Sequence, residues 1–234
     1  MKTNSPQKTA RVAAFVFVLI FILGMSTELF IRPGMIVTGD AAATVKNIAA
    51  SEELFRLSLV SDLIRQALLM LLPLILYRLL KPVNKTIASL MVIFALICVP
   101  ISLLNELNHF AVLLLSSGTG FLPALKADQL NALVTFFLEL RKYGTFISQF
   151  FSFWVLLLGY LVFKSGFLPR ILGILLMLGG LCYTALAGLF FLLPALDATI
   201  FGLIPFIAES LFYLWLLIMG VNVQEWKKRT LVSA

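Results

Sequence analysis

The chain has 234 residues, 61% of them hydrophobic and 12% charged, with a mean hydropathy of +1.05. A soluble domain carries about 25% charged residues, so these values exclude a soluble globular protein and specify an integral membrane protein. The formal net charge of +7 does not imply a nucleic-acid partner, because the basic residues sit at the ends of apolar runs rather than on one soluble face.

Crossing a hydrocarbon core of about 30 Å takes about twenty residues of helix, and six segments qualify. The first covers residues 11–31, with Lys2, Lys8 and Arg11 at its N-terminal side, and is stopped by Arg32-Pro33-Gly34. It is longer than the apolar core of a secretory signal, about 7–15 residues, and reads as an uncleaved spanning helix. A linker over 32–53 follows, in which 41–53 has helical composition. The second span, 54–80, ends at Lys81-Pro82. The third, 84–115, contains Pro100, which predicts a kink, and it ends in S-S-G-T-G (116–120).

A fourth helical segment begins near Asp128 and runs to Phe163. Its first part carries Glu139, Arg141 and Lys142 and is expected to project beyond the membrane as a solvated helix end, with the span itself over 143–163. The fifth span, 168–193, has Pro169 in its first turn and Pro194 at its close. Gly180, Thr184 and Gly188 make a small-residue stripe on it, a pattern that lets helices pack closely. The sixth, 199–223, has Pro205 near its start and leads to a charged tail. The expected fold is therefore all-α: one membrane domain over 1–234, a bundle of six transmembrane helices in the prokaryotic plasma membrane. Cys98 and Cys182 fall inside apolar segments and read as packed thiols.

Lys and Arg set the orientation. Lys2, Lys8, Arg11, Arg78, Lys81, Lys85, Lys164, Arg170, Lys227, Lys228 and Arg229 all fall on one side of a six-span chain. Arg32, Lys46, Arg56 and Lys126 on the other side are offset by Asp40, Glu52, Glu53, Asp128 and Asp197. Both termini are expected to be cytoplasmic, with 32–53 and 116–142 outside.

Several stretches resemble a known family. They are S-E-E-L-F-R-L-S-L-V-S-D-L (51–63), L-Y-R-L-L-K-P-V-N (76–84), N-E-L-N (105–108) and G-Y-L-V-F-K-S-G-F-L-P-R-I-L-G (159–173). The sequence is similar to the DUF4386 proteins, a bacterial and archaeal family of multi-pass membrane proteins catalogued as a domain of unknown function. The resemblance covers nearly the whole chain. It implies a membrane protein and supplies no catalytic residue.

The polar residues inside the spans are where a site is expected, since a charge at mid-membrane costs about 2.5–3.5 kcal/mol without partners or water. Asn105, Glu106, Asn108 and His109, the last being the only histidine, lie toward the outer end of the third span. Asp62 and Arg65 lie in the outer half of the second, Glu209 in that of the sixth. Glu28 and Glu139 stand at outer helix ends. The basic rim aside, the inner half holds almost no charge, so the bundle is expected to open a polar pocket outward, formed by these residues with Tyr213.

Spacing puts Glu106 with His109, Asn105 with Asn108, and Asp62 with Arg65 on shared faces at i,i+3, and Glu209 with Tyr213 at i,i+4. Each pair also has a plain structural reading. Asp62–Arg65 is then an internal ion pair, and the asparagines are interhelical hydrogen-bond donors.

Glu-x-x-His is also the spacing of helical carboxylate metal sites. Glu106, His109, Asp62 and Glu209 are the residues that would hold a divalent metal, although a single histidine excludes a histidine-rich zinc site within one chain. Three functions follow: small-molecule or ion binding or transport, a metal-dependent hydrolase embedded in the membrane, and a non-catalytic protein of assembly, stress response or signalling. The first fits best. The lipid bilayer is the one certain partner, and no phosphate loop, nucleophile elbow or dinucleotide motif is present.

Overall fold

A computed structural model describes residues 5–118, 125–193 and 199–232 of the chain. Lys2, Thr119, Gly120, Pro194 and Asp197, used above for topology, lie outside the described residues. The described residues form helices and turns without strands. The helices are α1 (Pro6–Met25), α2 (Ala41–Ala50), α3 (Glu52–Leu80), α4 (Lys85–Ser116), α5 (Ala127–Phe150), α6 (Phe153–Ser165), α7 (Arg170–Leu192), α8 (Thr199–Ile218) and α9 (Val223–Val232). Six helical stretches are long and apolar enough to cross a membrane: Pro6–Gly34, Glu52–Leu80, Lys85–Ser116, Ala127–Ser165, Arg170–Leu192 and Phe201–Ile218. The protein is a multi-pass, all-helical membrane protein.

Three local features shape these elements. The first span does not stop at Ile31. It continues through a π-helical turn (Ser26–Ile31) and a 3-10 turn (Arg32–Gly34), with Arg32 N donating to Thr27 O. Pro33 is tolerated there because a helix's final turn is already tightening. The fourth segment breaks at Phe151 and Ser152, where Ser152 N donates to Gln149 O at 2.9 Å, and resumes as α6. α2 starts on an Asp40 cap, Oδ1 accepting from Ala43 N at 2.8 Å.

The contacts divide the chain into two compact units. One unit comprises Leu19–Ala67 and Pro100–Thr145. Its core is Met35, Ile48, Phe55, Leu59, Val112, Leu113, Leu115 and Val134, all buried. The other comprises Met1–Val18, Leu68–Val99 and Phe146–Ala234. In it α6 packs on α7 and α7 on α8.

Glycine lets α6 and α7 approach closely. A Cβ on Gly159 would lie 2.5 Å from Met177 N and 2.7 Å from Gly173 O, and one on Gly180 would lie 2.5 Å from Leu156 N. Of the small-residue stripe, Gly180 is used in this contact, while Gly188 faces open space.

Candidate functional site

The unit of residues 19–67 and 100–145 holds a cluster of charges that no amount of apolar packing would leave unpaired. Asp62 (1% exposed), His109 (2%), Glu106 (3%) and Arg32 (5%) are buried. Asp62 arrives from α3, where it and the residues four before and four after it, Ser58 and Gln66, make a buried polar stripe. Glu106 and His109 arrive from α4, and Arg141 from α5. The π-helical turn and the 3-10 turn that follows it supply Glu28 and Arg32.

Each carboxylate has a guanidinium. Arg32 donates from Nη1 to Glu28 Oε1 and from Nη2 to Asp62 Oδ2. Arg65 donates to Asp62 Oδ1 from Nε at 3.2 Å and from Nη2 at 3.1 Å. Arg141 Nη2 lies 3.4 Å from Glu106 Oε1 and 3.6 Å from Glu28 Oε1. His109 Nδ1 accepts from Arg141 Nε at 2.8 Å, with Arg32 Nη2 at 3.2 Å and Glu106 Oε2 at 3.2 Å. Phe55 closes against the imidazole edge-on, with centroids 5.9 Å apart.

The asparagines frame this cluster. Asn105 Nδ2 donates to Arg141 O at 2.9 Å and to Thr145 Oγ1 at 3.2 Å, joining α4 to α5. Asn108 Nδ2 stays on its own helix, donating to Asn105 O and Oδ1 at 3.0 Å each. A side chain at Gly144 would overlap the Asn105 amide.

Of the residues singled out from sequence, Glu28, Asp62, Arg65, Asn105, Glu106, Asn108 and His109 come together here. Glu139 stays more than half exposed and pairs with Lys142 at 3.7 Å. Glu209 and Tyr213 belong to the other unit. There Glu209 shares a hydrogen bond with Tyr183. Tyr213 stacks on Phe17 at 3.9 Å, and its buried hydroxyl has no partner among the described residues.

Two members of the cluster escaped the sequence reading. In the sequence Arg32 belongs to a helix stop and Arg141 to a solvated helix end. The i,i+4 spacing of Glu28 and Arg32 was the available signal for the first. The second had none, because its partners lie more than thirty residues away in sequence.

Asp62, Glu106 and His109 offer metal-ligating atoms that all lie within 4.8 Å of one another. These three could hold a cation; Glu209 is not in the group. Yet each of the three already accepts from a guanidinium, so arginine supplies the positive charge in this arrangement.

A sequence profile described as a domain of unknown function, DUF4386, matches residues 12–220. The chain belongs to the DUF4386 family. The match takes in every residue of the cluster and ends before α9. An uncharacterised protein of Archaeoglobus fulgidus is 32% identical over 151 residues, which is 64% of this DUF4386 chain and 75% of that protein. No solved structure matches the chain.

Proposed function

We propose that this protein binds or transports a small organic acid at the cluster around Arg32, His109 and Arg141. We place it in the plasma membrane of a prokaryotic cell as one membrane domain, with both termini cytoplasmic and the cluster's residues toward the outside. The observation that carries the reading is the position of Glu28. Its carboxylate bridges Arg32 and Arg141, and its side chain is half exposed, whereas Asp62 and Glu106 are buried. An exposed carboxylate across two guanidiniums is the arrangement that a ligand's own carboxylate would reproduce on displacing it. Arg32 Nε, buried and without a partner among the described residues, is one further donor in the same guanidinium. Proton coupling, if transport uses it, would draw on Glu209 and Tyr183 in the other unit.

The test is thermal unfolding of the detergent-purified protein against a panel of mono- and dicarboxylates. An acid should stabilise the wild type, stabilise Glu28→Gln more strongly because the internal competitor is weakened, and leave Arg141→Gln unmoved. Equal responses in all three proteins, or none in any, would sink the reading and leave the cluster as structural glue for an assembly or signalling protein.

The 4.8 Å grouping of Asp62, Glu106 and His109 supports a second reading, a divalent metal with hydrolytic chemistry. Elemental analysis of protein purified without chelator decides it. Stoichiometric metal, lost in a Glu106→Ala, His109→Ala variant, would put this reading first.

A further inference from the structure

The unit of residues 1–18, 68–99 and 146–234 has a second concentration of charge, unrelated to the cluster above. A cavity of about 590 Å³ lies between the α6–α7 turn and α9, lined by Lys164, Arg170, Lys228 and Arg229 with a single carboxylate, Glu225. That volume falls in the range of small-molecule sites, about 300–1,000 Å³.

Basic residues at helix ends are expected of any membrane protein for orientation, and orientation needs charge alone. Here both guanidiniums are also held in place. Arg170 lies over the Phe163 ring, 5.9 Å from its centroid. Arg229 Nη2 donates to Lys164 O at 2.9 Å. α9 itself is fastened by Trp226 Nε1 donating to Leu79 O at 2.8 Å and by Asn222 N donating to Phe167 O at 3.1 Å. Lys228 pairs with Glu225 at 2.7 Å, but Lys164, Arg170 and Arg229 have no carboxylate partner among the described residues. The cavity therefore has fixed, uncompensated donors for an anion.

We propose that this cavity binds the phosphate of an anionic phospholipid headgroup. The lipid is favoured over a free phosphate by the site's surroundings. The cavity sits where α6 ends and α7 begins, at the ends of membrane-spanning helices. Val232, which lines it, and Leu231 beside it are 85% and 80% exposed, an apolar lip where an acyl chain would start. α9, with its Trp, Lys and Arg and this apolar end, has the composition of a helix lying in the membrane surface.

The experiment measures the midpoint of thermal unfolding of the full chain in detergent with added phosphatidylglycerol, phosphatidylcholine of the same acyl chains, or inorganic phosphate. Phosphatidylglycerol should raise the midpoint, and the other two should not. Each lost basic charge should weaken the lipid about fivefold, which is ~1 kcal/mol. Arg170→Gln and Lys228→Gln should each show this weakening, and Lys228, 71% exposed in its side chain, can be replaced without loss of folding. Lys227→Gln removes the same charge from the same helix but from a residue that does not line the cavity, and should leave the shift intact. An equal shift with inorganic phosphate assigns the cavity to a soluble anion and overturns the lipid. A lipid shift reduced equally by Lys227→Gln and Lys228→Gln shows a diffuse surface charge and overturns the site.

Discussion

Arg141 Nε donates to His109 Nδ1 at 2.8 Å, and Arg32 approaches the same nitrogen at 3.2 Å. A guanidinium has only donors, so Nδ1 must be the acceptor and His109 is the neutral imidazole with its proton on Nε2. Glu106 Oε2, also 3.2 Å from Nδ1, is then held there by Arg141 rather than by a proton from the ring. Because His109 is the only histidine of the chain, nitrogen-15 labelling of histidine gives a single pair of ring signals at neutral pH. The Nε2-protonated tautomer is expected. A protonated Nδ1 would mean that the two arginines do not sit as described.

The Glu106–Arg141 contact makes a second prediction. Both side chains are largely buried, and removing one partner of a buried pair costs about 3–5 kcal/mol because the other charge is left uncompensated. Arg141→Gln should destabilise on that scale. Glu106→Gln, Arg141→Gln together should recover most of the loss, since no charge is stranded. The measurement is denaturation of both variants in one detergent. A double variant as weak as the single would show that Arg141 acts through His109 and Glu28 instead.

At Arg32, lysine is not a conservative replacement. One guanidinium reaches Glu28, Asp62 and His109 through two separate nitrogens. A lysine ammonium is a compact point charge and cannot span them. Arg32→Lys should cost about 1.5–3 kcal/mol, the worth of one hydrogen bond to a charged group. Arg65→Lys should cost less, because Asp62 is the one carboxylate that Arg65 pairs with among the described residues and Arg65 is more exposed. Parallel unfolding curves of the two variants check the order.

What could be read from the sequence follows the range of the interaction. Asp62 with Arg65 and Glu106 with His109 are three residues apart, so helix geometry alone brings them to one face. The count of spanning segments followed likewise from local hydropathy. Arg32 and Arg141 act across 30 and 32 residues, on Asp62 and His109 respectively, and local periodicity says nothing about such pairs. Arg32 was further concealed by Pro33 and Gly34, which signal a helix end so strongly that the side chain before them read as part of the stop. Glu139 shows the converse: its neighbour Arg141, two positions on, turns inward on the same helix, and composition could not separate the two.

The glycines of α7 separate two roles that the sequence presents alike. A Cβ at Gly180 would meet the backbone of Leu156 at 2.5 Å, whereas one at Gly188 meets nothing within 4 Å. Gly180→Ala should force α6 and α7 apart at a cost of about 1–3 kcal/mol. Gly188→Ala should be neutral or gain up to about 1 kcal/mol from helix propensity. Unfolding midpoints that move in the same direction for both would contradict the placement of α7 on α6.

One of the bonds that fasten α9 comes from an indole. Trp226 Nε1 donates to Leu79 O at 2.8 Å, and Leu79 lies in the last turn of α3, where carbonyls have no partner within their own helix. Trp226→Phe keeps an aromatic ring but leaves that buried carbonyl without its donor, a loss of about 1 kcal/mol. That loss raises the population of a detached α9 about fivefold. Lys227, Lys228 and Arg229 follow directly, so detachment reads out as trypsin cleavage there. Cleavage in Trp226→Phe should accelerate by that factor while the spanning helices stay intact. No acceleration would mean that Arg229 on Lys164 O and Asn222 on Phe167 O hold α9 without it, and the indole would then be an anchor in the membrane interface.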